Sequence, residues 1–213
     1  MVDLILRSSI QDFQKKVINW EKESGISYPW RTTPNHWHAL VAEIMLQRTR
    51  AEQMLTPYIE FTERFDTPEA FLQGSTDNIF DSLGLKWREQ TLRELANSLA
   101  GRNIPDTRPE LLKLPGVGDY VASAYLSAHV KKREFIIDSN VVRLYGRYWG
   151  FETNPETRRK KWLSELASEL TPQKEFVEYN YGLIDFTKAV CKIRPKHHQC
   201  PVKNNCNFAQ RLS

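Results

Sequence analysis

The chain has 213 residues, 40% of them hydrophobic and 26% charged, with a formal net charge of +4. That length and balance suit a globular protein with a sizeable core, in one large domain or two small ones. No run of about 18 apolar residues is present, which excludes a membrane-spanning helix; the apolar stretch in MVDLILRSSIQDF is too short for a secretory signal, so an intracellular protein is expected.

Helical period dominates from the start. Residues 9–23 place Ile10, Phe13, Val17 and Trp20 on one stripe. Residues 35–48, NHWHALVAEIMLQR, follow with Asn35 as N-cap and Trp37, Leu40, Val41 and Ile44 as the buried face. Glu43 falls off that stripe, and by pattern alone it faces solvent. Further helical patterns cover 51–65, 68–73, 76–83, 87–100, 108–114, 119–130, 139–149, 156–170 and 174–190, while REFII at 133–137 is the only short run of β character. The class is all-α, built from short helices on short connections.

Positive charge gathers at 131–133 and 158–161. Each run reads as a solvated face or as phosphate contact. All three cysteines lie in CKIRPKHHQCPVKNNC, residues 191–206. An odd cysteine cluster in an intracellular chain points to a metal before a disulfide.

Residues 108–130 read RPELLKLPGVGDYVASAYLSAHV. Pro109 fits the first turn of a helix, Leu-Pro-Gly-Val-Gly breaks it, and a second helix starts near Asp119, burying Val121, Ala124, Tyr125 and Ala128. Gly116 and Gly118 allow close backbone approach and unusual dihedrals. Amides of the hairpin and of the following helix N-terminus then form a phosphate site that positions DNA without reading its sequence. The plainer alternative is an αα-hairpin with a glycine turn. Asp138, 20 residues past Gly118 in IIDSNVVRLYGRYWG, favours the DNA reading.

On these motifs the chain resembles the helix-hairpin-helix DNA glycosylase superfamily, in its endonuclease III/MutY group. PWR at 29–31, AEIMLQRT at 42–49, LPGVG at 114–118, IDSNVVR at 137–143 and YNYGLIDFTKAVC at 179–191 stand in the family's order and at about its spacing. The resemblance covers nearly the whole chain. It implies two helical lobes with double-stranded DNA and a flipped base at the cleft between them, acted on by a monomer. One lobe, 25–134, is a six-helix barrel holding the hairpin. The other joins 1–24 to 135–213.

The resemblance also nominates site residues. Asp138 matches the aspartate that faces the sugar, a role compatible with N-capping. Glu43 stands where MutY-type enzymes carry the acid that protonates adenine. Tyr120 occupies the position of the Schiff-base lysine of bifunctional relatives, and tyrosine cannot form an imine; the expected enzyme is monofunctional, with little or no strand cleavage. Gln47 and Arg48 would approach the gap left by the flipped base, and Leu114, Gly116, Val117 and Gly118 would contact the DNA backbone.

Two branches compete for the substrate. MutY-type enzymes, which remove adenine opposite guanine or 8-oxoguanine, usually read LQQT and carry an extra C-terminal domain. This chain reads LQRT and continues only seven residues past Cys206. Mig-type thymine–guanine mismatch glycosylases are short, with arginine in that segment and tyrosine at the lysine position. Thymine or uracil opposite guanine is therefore the expected substrate, with adenine as the alternative. A modified base, or a DNA-binding module without activity, are further readings.

The family often ends in a four-cysteine [4Fe–4S] loop spaced by six, two and five residues. Here Cys191, Cys200 and Cys206 keep three of those positions, and the loop is one residue short. Counting back from Cys200 gives His197 as the fourth ligand; counting forward from Cys191 gives His198. His197 is preferred because the short interval is the more constrained. A Cys3His cluster, a zinc ion and no metal are the three outcomes.

Overall fold

The computed structural model describes residues 2–77, 79–81 and 86–211. Among the described residues there are α-helices, short 3-10 turns and loops, and no strand. The chain divides into two compact units: one is Ser27–Lys132, and the other combines the chain before it with the chain after it.

The first helix, α1 (Val2–Ser24), buries Ile10, Phe13 and Val17 as its stripe requires, and Trp20 packs edge-on against Phe186 at 5.3 Å. In the Ser27–Lys132 unit follow α2 (Pro29–Thr32), α3 (His36–Met45), α4 (Ala51–Arg64), α5 (Pro68–Gln73), α6 (Lys86–Leu99), α7 (Arg108–Leu111) and α8 (Asp119–Ala128). Asn35 caps α3, its side chain accepting from the amides of Trp37 at 2.9 Å and His38 at 3.2 Å. Thr67 caps α5 through the amide of Ala70 at 3.2 Å. Helix α3 is enclosed on every side: each residue from Trp37 to Met45 is buried. Around it, Trp37, Phe61, Phe65 and Phe71 meet at tilted or edge-on angles, the geometry aromatic quadrupoles favour.

The second unit is completed by α9 (Ser139–Trp149), α10 (Lys161–Leu170), α11 (Phe176–Ala189) and α12 (Asn207–Gln210). Helices α1 and α11 pack closely because Gly182 has no side chain; a Cβ there would lie 2.8 Å from Val17 Cγ1 and 2.9 Å from its carbonyl oxygen.

Three boundaries differ from the sequence patterns. The 156–170 pattern is broken at Lys160, which is extended between the 3-10 turn Thr157–Arg159 and α10. The Asn154 amide donates to the Thr157 hydroxyl at 2.9 Å, closing a turn that redirects the chain. The 108–114 pattern gives helix only to Leu111. The 76–83 pattern falls partly on residues outside the described ones; the described part is turn and 3-10. The β-like run 133–137 carries no regular secondary structure and pairs with no strand among the described residues, and side chains serve its neighbourhood's backbone groups instead. Asn180 Nδ2 donates to the Glu134 carbonyl at 2.9 Å, while the Arg133 guanidinium reaches the carbonyls of Ser168, Thr171 and Pro172.

Candidate active site

Glu43 lies inside α3 and is only 5% exposed. The stripe reading, which faced it to solvent, fails because α3 has no solvent face at that level. The turn after α3 carries Gln47, Arg48 and Thr49. Gln47 Nε2 donates to the Gly116 carbonyl at 3.0 Å, which ties this turn to the hairpin. Arg48 is exposed and adopts φ +59°, a left-handed conformation that non-glycine residues rarely hold. The Thr49 hydroxyl accepts from Arg88 Nη1 at 2.6 Å.

In the hairpin, Arg108 staples α7 to α8 through Asp119 and Ser123, both at 2.7 Å. Leu114 packs against the core, and the Val117 side chain is buried, so only the Val117 backbone is open to a ligand. Gly116 adopts φ +76° beneath Thr91 and Ile44. Gly118 is exposed; a Cβ there would meet nothing within 4 Å. It precedes α8, which has no side-chain cap. Tyr120, in the first turn of α8, is half-buried against the same core.

In the other unit Asp138 caps α9. Its Oδ1 accepts from the amides of Asn140 at 2.9 Å and Val141 at 2.7 Å, and its Oδ2 accepts from Asn140 Nδ2 at 2.8 Å. Asn140 Oδ1 in turn accepts from Arg143 Nη1 at 2.8 Å. Three bonds thus hold the Asp138 carboxylate, and a fourth holds the Asn140 side chain that supports it. Beside the start of α9 lies a groove of about 570 Å³ lined by Ser139, Thr153, Asn154, Arg158 and Arg159.

Cys191 and Cys206 are buried and Cys200 is half-buried. Burial pushes the Cys200 thiol up to about 11, and the neighbouring Cys206 and Cys191 add to the rise. His197 lies parallel to the Phe208 ring at 6.1 Å, and His198 is exposed. Among the described residues, no three His, Cys, Asp or Glu side chains converge as ligands of one ion.

No family-wide sequence profile matches the chain. Individual proteins do. The thymine/uracil-DNA glycosylase of Pyrobaculum aerophilum is 34% identical, over 98% of this chain and 97% of its own. The thymine-DNA glycosylase of Aeropyrum pernix is 32% identical, over 95% of this chain and 96% of its own. A solved structure of a thermostable thymine-DNA glycosylase superposes with a TM-score of 0.90 at 28% identity, covering 97% of this chain and 99% of that one. The chain belongs to the helix-hairpin-helix DNA glycosylases, in the endonuclease III/MutY group, with the thymine/uracil-DNA glycosylases.

As a DNA glycosylase, the protein is an N-glycosyl hydrolase of base excision repair, and the hairpin is the motif that gives the family its name. One residue beside the nominated ones was missed from sequence. Arg88 is fully buried under the turn that carries Arg48, and among the described residues its Nε and Nη2 have no hydrogen-bond partner. An arginine in the charged string KWREQ gives no sign of burial.

Proposed function

We propose that this glycosylase excises thymine or uracil paired with guanine and leaves an abasic site. The single observation that carries the reading is its likeness, over nearly the full length of both chains, to enzymes named for thymine and uracil. The LQRT turn and the tyrosine at 120 support it.

In the proposed reaction the bond between sugar carbon and base nitrogen breaks, and its electron pair leaves with the base. Positive charge develops on the sugar; water adds there and releases a proton. Asp138 stabilises that charge. A carboxylate already fixed by two backbone amides and Asn140 needs no reorganisation as the cation forms. Glu43, enclosed in α3, neutralises the departing base by proton donation. Tyr120 lines the base pocket and has no amine for an imine, so the product keeps an intact strand. The base leaves the stack before reaction, and Gln47 or Arg48 fills the space it vacates. Backbone groups of 114–118 and the first amides of α8 hold phosphate.

Cys191, His197, Cys200 and Cys206 suit a [4Fe–4S] cluster better than zinc. A zinc ion gathers all its ligands on one point, whereas a cube of four irons takes one ligand per iron and spaces them apart. The family's cysteine loop holds such a cluster, and Cys191, Cys200 and Cys206 keep three of its positions, which supports the cluster reading. The cluster would be structural, stiffening a loop whose Lys192, Arg194 and Lys196 are exposed to meet the DNA backbone.

A second reading, adenine opposite guanine or 8-oxoguanine, is favoured by one observation: the buried Glu43 is the acid that adenine, leaving best when protonated, requires. Duplexes with T·G, U·G, A·G and A·8-oxoguanine pairs separate the two. Release of thymine and uracil is expected; excision of adenine alone overturns the first reading.

A further inference from the structure

Two neighbouring residues break ordinary rules of protein interiors, and they meet at Thr49. Arg48 holds a left-handed backbone without being glycine. Arg88 is 0% exposed, yet among the described residues only Nη1 is hydrogen-bonded, to Thr49; Nε and Nη2 have no partner there, and the guanidinium otherwise lies 5.0 Å from the exposed Trp87 ring. A buried charge with unsatisfied donors destabilises a fold, and an apolar side chain of similar size is commonly more stable in such a place. Burial, and after it the charge of Arg48, pulls Arg88 down to about 10. The two cations therefore oppose each other in the free protein. Both costs fall where the chain meets a polyanion in the proposed reaction. Local rules are broken in this way mainly at functional sites.

The turn itself is pinned from two sides. Gln47 Nε2 holds the Gly116 carbonyl at 3.0 Å, and Arg88 holds the Thr49 hydroxyl at 2.6 Å, with Arg48 between the two anchors and free to project outward. The Thr49 amide also donates to the Leu46 carbonyl at 3.2 Å, closing the turn through the backbone, and the Arg88 bond adds the side-chain anchor; without that anchor Arg48 is freer to relax to the commoner right-handed region.

We propose that Arg88 is a positioning residue for mismatch excision: by holding Thr49 it sets Arg48 in the left-handed turn from which Arg48 enters the space vacated by the flipped base. This rests on the mismatch reading given above. Arg88 touches neither base nor sugar. It acts through Thr49, and its charge is retained for the reaction at the expense of the free protein's stability.

The test compares wild type, Arg88→Met, Arg88→Lys, Thr49→Val and the Arg88→Met/Thr49→Val double variant. Single-turnover excision is measured on a T·G duplex, melting temperature on the free protein, and base flipping by 2-aminopurine fluorescence next to the mismatch. Arg88→Met is expected to slow excision at least tenfold and to reduce the flipping signal, with a melting temperature equal to or above that of wild type. Thr49→Val should match it, the double variant should be no slower than either single one, and Arg88→Lys should recover part of the rate. Wild-type excision by both single variants, losses that multiply in the double variant, or slower excision that tracks a lower melting temperature would each overturn the positioning role. A wild-type protein inactive on T·G but active on another pair is a different failure, that of the substrate reading.

Discussion

Gln47 Nε2 and the Gly116 carbonyl oxygen lie 3.0 Å apart, so the turn that follows α3 and the bend of the hairpin are one connected surface. Gly116 is required there twice over. Its φ of +76° is costly for any side chain, and a Cβ would stand 2.5 Å from Thr91 Cγ2. Gly116→Ala is expected to destabilise the protein by about 1–3 kcal/mol and to weaken duplex binding as the hairpin shifts. Gly118→Ala is the contrasting case. Its position is open and its φ ordinary, so the melting temperature should hold while affinity for an undamaged duplex falls, because only the approaching DNA meets the new methyl group. Melting curves and fluorescence anisotropy on both variants check this; equal affinity for Gly118→Ala and wild type would remove the hairpin backbone from the DNA contact.

Asp138 caps α9, and the proposed reaction gives it a second, separable duty. As an N-cap it can be replaced by asparagine, which caps almost equally well, whereas alanine costs about 1 kcal/mol. In its proposed role as a charge facing the sugar it has no neutral substitute. Asp138→Asn is therefore expected to keep the melting temperature within a degree or two and to lose on the order of 10²–10³-fold in single-turnover excision. Asp138→Ala should lose both activity and stability. Unchanged excision by Asp138→Asn would remove the aspartate from the mechanism.

These residues differ in how readable they were. Asp138 was legible because an acid directly before an apolar-periodic run is a cap by local rules alone, and the observed bonds are those of a cap. The core faces of α1 and α8 followed from spacing in the same way. Glu43 was misread by pattern because a stripe argument assumes one wet face, and α3 has none; only the family motif marked it. Arg88 carried no signal of either kind, since its burial depends on Thr49 and on packing against other helices. The break at Lys160 was hidden because the apolar period runs through it, while the turn that causes it depends on side-chain bonds between Asn154 and Thr157.

In the proposed reading Tyr120, half-buried against the core in the first turn of α8, puts a phenol where bifunctional relatives carry an amine. Purified protein should convert a mismatch duplex to an alkali-labile abasic product with little spontaneous nicking, and borohydride should trap no protein–DNA adduct. Tyr120→Lys supplies the missing nucleophile. It is expected to yield a trappable adduct and measurable strand cleavage, at the expense of the glycosylase rate. A trapped adduct with the wild-type protein would locate an amine elsewhere and end the monofunctional reading.

His129 gives a pH dependence whose sign can be worked out. Burial, then the charges of Lys131 and His36, pull it down to about 4, against a partial upward pull from its hydrogen bond with the Thr33 backbone. In the unfolded chain it titrates near 6.5. The fold therefore holds the neutral ring, and protonation favours the unfolded state. This contribution is complete above about pH 6.5 and is lost as the pH falls toward about 4. Denaturant midpoints at pH 7.5, 5.5 and 4.5 should decline more steeply for wild type than for His129→Gln. Parallel declines would assign the acid sensitivity to other groups.

The C-terminal loop makes its own prediction. Cys191 and Cys206 are buried in the core of their unit and flank a hydrogen-bonded turn, so a group bound to them stabilises the fold by as much as it prefers the folded loop. Protein purified without oxygen should be brown, with broad visible absorption, and contain about four irons per chain. Cys206→Ser should lose colour and melt at a lower temperature, while its hairpin and α3 turn, in the other unit, remain folded by hydrogen exchange. His197→Ala separates the two candidate histidines: iron retained by it but lost from His198→Ala would move the fourth ligand to His198. Stoichiometric zinc in colourless, active protein would replace the cluster by a single ion, and a metal-free active protein would leave the loop to packing alone.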